Sequence, residues 1–123
     1  MQVIKNERVV FFDIDGTLVH KQSADNDAQV IRVLDPYENR FVKRQKHLPH
    51  IKLLRNYVRR GFKVLVWSKN GYAWAAEVLK ALKLDHLKLQ VMTKPCVIVD
   101  DEPPANWIGE QVFIPSTSSF GRD

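Results

Sequence analysis

Cysteine is nearly absent. Cys96 is the single one in 123 residues, so no intrachain disulfide can staple the chain. Long apolar runs are absent too. None approaches the ~18–20 residues that cross a bilayer, so no membrane partner is expected. The opening MQVIKNERVV has neither the apolar core nor the cleavage site of a secretory signal, and a cytoplasmic protein is the expectation. No internal repeat or low-complexity segment occurs. Hydrophobic residues at 45% and charged residues at 27% exclude wholesale disorder, collagen-like repeats and coiled coil. Acidic residues are the minority, 14 against 19 basic, giving a net charge of +5. That excess suits an anionic partner such as a phosphoester or nucleic acid, although many basic proteins bind neither.

What is present fits one domain over residues 1–123, with a single modest core. Val9 to Phe12 is a continuous apolar run ending at Asp13. It reads as a strand buried on both faces, as in a parallel sheet. Lys63 to Trp67 repeats the pattern and ends at Ser68, and Val97 to Val99 repeats it and ends at Asp100. Cys96 then reads as a small buried side chain entering that last strand. Leu87 to Val91 alternates like a shorter strand, and Gln111 to Ile114 is a candidate final strand before a polar tail. Between them, Pro49 to Arg60 and Tyr72 to Leu82 carry apolar residues at helical spacing. Pro49 suits a first helical turn and Gly61 a C-terminal stop. Strands alternating with helices predict an α/β fold: a three-layer, Rossmann-like open sheet of about five mainly parallel strands. Ligands of such sheets gather at the carboxyl ends of the strands, where each apolar run here meets a polar residue.

Residues 20–47 have no helical period. Val30 to Leu34 and Arg40 to Arg44 flank AspProTyrGluAsn, which has turn chemistry. They predict a β-hairpin flap with a basic skin of Arg32, Arg40, Lys43, Arg44 and Lys46.

The chemistry concentrates in PhePheAspIleAspGlyThrLeuVal, residues 11–19. Asp13 and Asp15 sit two apart at the end of a buried strand, and Gly16 permits an abrupt turn. Nearby carboxylates repel unless a cation lies between them or one is protonated. Hard oxygen donors of this kind suit Mg²⁺. Asp100 and Asp101 close a second apolar run with another acidic pair. If the two strands are neighbours, the carboxylates converge, at a cost that a metal would offset. These residues alone point to a Mg²⁺ site for a phosphorylated ligand.

Asp13 to Leu18, reading Asp-Ile-Asp-Gly-Thr-Leu, resembles the first motif of the haloacid dehalogenase superfamily, most of whose members are phosphohydrolases. LeuValTrpSer at 65–68 resembles the second motif, ThrLysPro at 93–95 the third, and ValIleValAspAsp at 97–101 the fourth. The resemblance implies that Asp13 is a nucleophile forming an aspartyl-phosphate and that Asp15 is the general acid and base. It implies a Mg²⁺ held by a side-chain oxygen of Asp13, the backbone carbonyl of Asp15 and either Asp100 or Asp101. Ser68 would hydrogen-bond a phosphoryl oxygen, and Lys94 would neutralise its charge, with Lys69 the alternative cation. Gly16, Thr17, Ser68, Lys69 and Asn70 form the implied substrate-binding set. His20, just past the motif, reads as a rim residue.

Neither interval between motifs has room for a folded cap domain. A capless site favours a large substrate or a partner that closes it. Val19 and His20 after the first motif, and proline after the acidic pair, also resemble the carboxy-terminal-domain type of protein phosphatase. Three readings follow. The first is a Mg²⁺-dependent phosphomonoesterase. The second is a polynucleotide end phosphatase, with Trp74 and Trp107 as candidate stacking residues. The third is a non-catalytic phosphate- or partner-binding module.

Overall fold

Asp13 stands at the end of the first strand because Val9–Phe12 alternates across a sheet. Val10 and Phe12 face the core, while Val9 and Phe11 are exposed. The computed structural model describes residues 5–21 and 27–115. Its regular elements are β1 (Val9–Asp13), β2 (Val19–Lys21), β3 (Val30–Asp35), β4 (Arg40–Lys46), α1 (Leu48–Arg59), β5 (Lys63–Ser68), α2 (Tyr72–Ala81) and β6 (Leu89–Thr93). Short 3₁₀ turns occur at Asp27–Gln29 and Pro104–Asn106. No helix among the described residues is long and apolar enough to cross a membrane.

One sheet is parallel, in the order β1-β5-β6. Asp13 aligns with Trp67, and Ser68 with Thr93. Asp13, Ser68 and Lys94, the residue after β6, therefore share one sheet end. The Lys94 N–H extends the ladder by donating to the Ser68 carbonyl at 2.9 Å. Val64, Val66 and Ser68 are buried on one face of β5 and receive both helices. On that face Tyr57 of α1 packs edge-on against Phe12, and Leu79 of α2 lies beside Leu89 and Val91.

The second sheet is antiparallel, in the order β2-β4-β3. Its β3–β4 hairpin turns where the sequence predicts. Asp35 Oδ1 accepts the N–H groups of Tyr37 and Glu38 at 2.9 and 3.2 Å, and Asn39 takes the left-handed conformation at φ 54°. Val33 is buried, and β3 packs on α2. Gly16, at φ +87°, reverses the chain after β1 so that β2 can join this sheet.

Several expectations are corrected. The parallel sheet has three strands, and among the described residues both helices lie on one face, so the layers number two. Val97–Val99 and Gln111–Ile114 form no strand. Val97, Ile98 and Val99 are 71%, 55% and 94% exposed, and Cys96 is exposed rather than buried. An apolar run becomes a strand only with a partner, and parallel partners are ordinarily joined by a dozen or more residues. Three residues, Lys94 to Cys96, separate β6 from Val97, and Pro95 has no N–H to donate. Among the described residues nothing pairs with the outer edge of β1. β6 begins at Leu89 rather than Leu87, because the Leu87 N–H is used in a turn to the Leu84 carbonyl. The polar tail after residue 115 lies outside the described residues.

His47, directly before α1, and His50, in its first turn, are buried. His50 Nε2 accepts the Ile114 N–H at 3.1 Å, which puts the His50 proton on Nδ1. That Nδ1–H lies 2.9 Å from the Thr17 carbonyl and 2.7 Å from His47 Nδ1, which can only accept. Burial, then the His50 and His20 rings, lower the His47 pKa from 6.5 to about 4. Between those values the unfolded chain takes a proton that the folded chain refuses, so stability falls as pH falls. Denaturant unfolding at pH 7 and pH 4.5 should differ by on the order of 2–3 kcal/mol from this residue, and His47→Asn should flatten the dependence.

Gly71, ahead of α2, sits at φ +99°, and a Cβ there would meet the Tyr37 hydroxyl. Gly71→Ala should therefore cost about 1–3 kcal/mol in urea unfolding.

Candidate active site

Asp13 ends β1 half-exposed. Its Oδ2 accepts a long hydrogen bond from the Thr17 hydroxyl at 3.3 Å. Its Oδ1 lies 3.9 Å from Lys94 Nζ. Both contacts are loose, so the carboxylate keeps lone pairs for an incoming electrophile or cation. Lys94 reaches it because β6 delivers it at the same sheet end. Its ammonium also lies 5.9 Å from the centre of the Trp67 ring.

Asp15 is held far more tightly. Its Oδ2 accepts from Ser68 Oγ at 3.0 Å, Asn70 Nδ2 at 3.0 Å and Trp74 Nε1 at 3.2 Å. Its Oδ1 receives only the other branch of the Trp74 hydrogen bond, at 3.1 Å. Oδ1 is thus the oxygen with room to exchange a proton. Donors from the end of β5, the following loop and α2 together fix the carboxylate plane.

Other expected residues take different positions. Ser68 is fully buried; its hydroxyl donates to Asp15 and accepts the Asn70 N–H at 2.9 Å. In this geometry it orients a carboxylate instead of facing a phosphoryl group. The Gly16 and Thr17 N–H groups are used within the turn, donating to Val19 and Ile14 carbonyls at 2.8 and 3.2 Å. Asn70 spends its amide on Asp15. Lys69 is exposed. Asp100 and Asp101 lie in an exposed bend, and no group of three or more acidic, His or Cys residues suited to a metal forms among the described residues. The expected convergence of the acidic pair with Asp13 and Asp15 is therefore not assembled. The Asp100 carboxyl is held below its usual range, first by a hydrogen bond with the Asp101 side chain and then by the Glu102 N–H.

Trp74 is the residue whose part was not read. The sequence marks it as helix packing or a stacking ring, yet its indole N–H holds Asp15. Its position in the first turn of the helix after Ser68, beside buried Ala75, was the available signal. Trp107 is exposed in the C-terminal segment, and His20 is half-buried against His47 with ring centres 5.1 Å apart.

The donor chemistry suits Mg²⁺. The loosely held Asp13 carboxylate and the Asp15 backbone carbonyl are hard oxygen donors at a partly open sheet end, and they match an ion that keeps several waters and is bound through one or two carboxylates and phosphate oxygens.

No curated protein and no solved structure matches the chain. A family model does match, over residues 8–102, and those residues include all four motif segments. The chain therefore belongs to the NLI interacting factor-like phosphatases, a haloacid dehalogenase-like family.

Proposed function

We propose that this protein is a Mg²⁺-dependent phosphomonoester hydrolase working through an aspartyl-phosphate. The observation that carries the reading is the contrast between two neighbouring carboxylates, Asp13 loosely held beside a lysine and Asp15 clamped by three side-chain donors. One is free to attack; the other is positioned to move a proton.

Asp13 attacks phosphorus, forming an O–P bond as the ester O–P bond breaks. Asp15, protonated at Oδ1, gives its proton to the leaving oxygen. Asp15 then takes a proton from water, which attacks the aspartyl-phosphate and releases inorganic phosphate, restoring Asp13. Lys94 offsets charge on Asp13 and the phosphoryl group. Ser68, Asn70 and Trp74 are positioning residues for Asp15. The Asp13 carboxylate and the Asp15 backbone carbonyl would hold the metal, which when bound would shield anion-on-anion attack and stabilise transition-state charge. Asp100 or Asp101 would supply the third protein ligand.

Hydrolysis of p-nitrophenyl phosphate tests the reading. Turnover should require Mg²⁺, stop with chelator and fall at least ~10³-fold in Asp13→Asn. Asp100→Asn or Asp101→Asn should raise the Mg²⁺ needed for half-maximal rate by about tenfold or more. A folded, metal-replete protein without turnover on this ester or on phosphorylated macromolecules would favour the binding-module reading.

Trp74→Phe keeps the ring and removes the donor. Steady-state kinetics should show kcat reduced about tenfold with KM changed less than about twofold, since Asp15 is misoriented and ground-state binding is untouched.

A further inference from the structure

Beside Asp15 lies an open pocket of about 300 Å³ whose lining includes Asp15, Gly16, His20, Lys21, Arg44 and Asn70. Asp13 and Lys94 do not line it. The pocket therefore adjoins the group assigned to protonate the leaving oxygen, and it is where a leaving group would extend.

Lys21 and Arg44 are directly opposed across the β2–β4 ladder. Like charges in that relation repel. Among the described residues neither has an acidic partner within ion-pair reach. Arg44 is instead laid over the Trp74 ring at 5.2 Å and donates to the Lys43 carbonyl at 2.8 Å. Two cations opposed on neighbouring strands, with no acidic ion-pair partner among the described residues and one of them oriented by an aromatic ring, make a receptor for an anion. The rim adds stacking surface. Tyr37 is exposed, and its hydroxyl donates to the carbonyl of the lining residue Asn70 at 2.8 Å. Cations beside an exposed aromatic ring are a combination that single-stranded nucleic acid uses.

We propose that Lys21 and Arg44 form a second anion subsite that takes a phosphodiester of the leaving group. The substrate class is then the phosphorylated end of a single-stranded nucleic acid. This rests on the phosphomonoesterase reading. The terminal ester O–P bond breaks, the polymer leaves as a hydroxyl carrying the Asp15 proton, and water supplies the oxygen of the released phosphate. A phosphopeptide leaving group has no obligatory anion to satisfy two cations.

The test compares kcat/KM on p-nitrophenyl phosphate, on 5′- and 3′-phosphorylated single-stranded decamers, and on a phosphoserine peptide. It uses wild type, Lys21→Ala/Arg44→Ala and the bulkier Lys21→Gln/Arg44→Gln, with folding checked by circular dichroism. At least one decamer should exceed p-nitrophenyl phosphate, and that ratio should fall about tenfold or more in either double variant. Fluorescence anisotropy with labelled decamer, in an Asp13→Asn background, reads the subsite without turnover. The slope of log Kd against log salt should become shallower by about 1.4, two contacts at ~0.7 each. An unchanged ratio and slope overturn the subsite while p-nitrophenyl phosphate turnover keeps the phosphatase reading. A phosphoserine peptide turned over better than either decamer overturns the nucleic-acid assignment. No turnover of any ester removes the phosphatase reading, and the salt slope still decides the subsite.

Discussion

The carboxylate of Asp15 is the knot of this structure. A partly buried carboxylate is costly unless its lone pairs are satisfied. Ser68, Asn70 and Trp74, which satisfy them, lie 53, 55 and 59 positions away in sequence. The turn after β1 can hold its position only when β5 and α2 are already packed. Behind the same turn, His50 holds the Thr17 carbonyl from α1. The site is therefore a product of the assembled fold and cannot form from its own loop.

The small antiparallel sheet follows from that constraint. A lone hairpin is marginal in water, so β3 and β4 need an anchor. Val33 supplies one by burial in the core shared with α2, and Tyr37 supplies another at the Asn70 carbonyl. Because the flap is tied to the loop that clamps Asp15, Arg44 is brought over Trp74. The flap thus does with one side chain per strand some of the enclosing that a separate domain would otherwise do.

Much of this was legible because the signals were local. Continuous apolar runs marked β1 and β5, although the structure buries only one face of β1; helical spacing marked α1 and α2, and AspProTyrGluAsn marked the hairpin turn. β2 escaped notice because three residues have no period to read. Val97–Val99 was over-read because an apolar run states a preference for burial and says nothing of the partner that must supply it. At the site, strand ends carry Asp13, Ser68 and Lys94, and a sheet aligns strand ends, so their proximity could be anticipated. What each touches could not be. The Ser68 hydroxyl turns to Asp15, and the Trp74 indole reaches the same carboxylate, because of how α2 is rotated over the turn. No residue pattern encodes that rotation.

The outer edge of β1 has a consequence for handling the protein. Val9 to Phe12 is apolar throughout and carries none of the inward charges, bulges or prolines that keep exposed strands apart. A second copy arriving in extended form would find a ready ladder of unpaired N–H and C=O groups there. Concentrated solutions should accordingly be prone to edge-to-edge association, and the net positive charge of the chain opposes it.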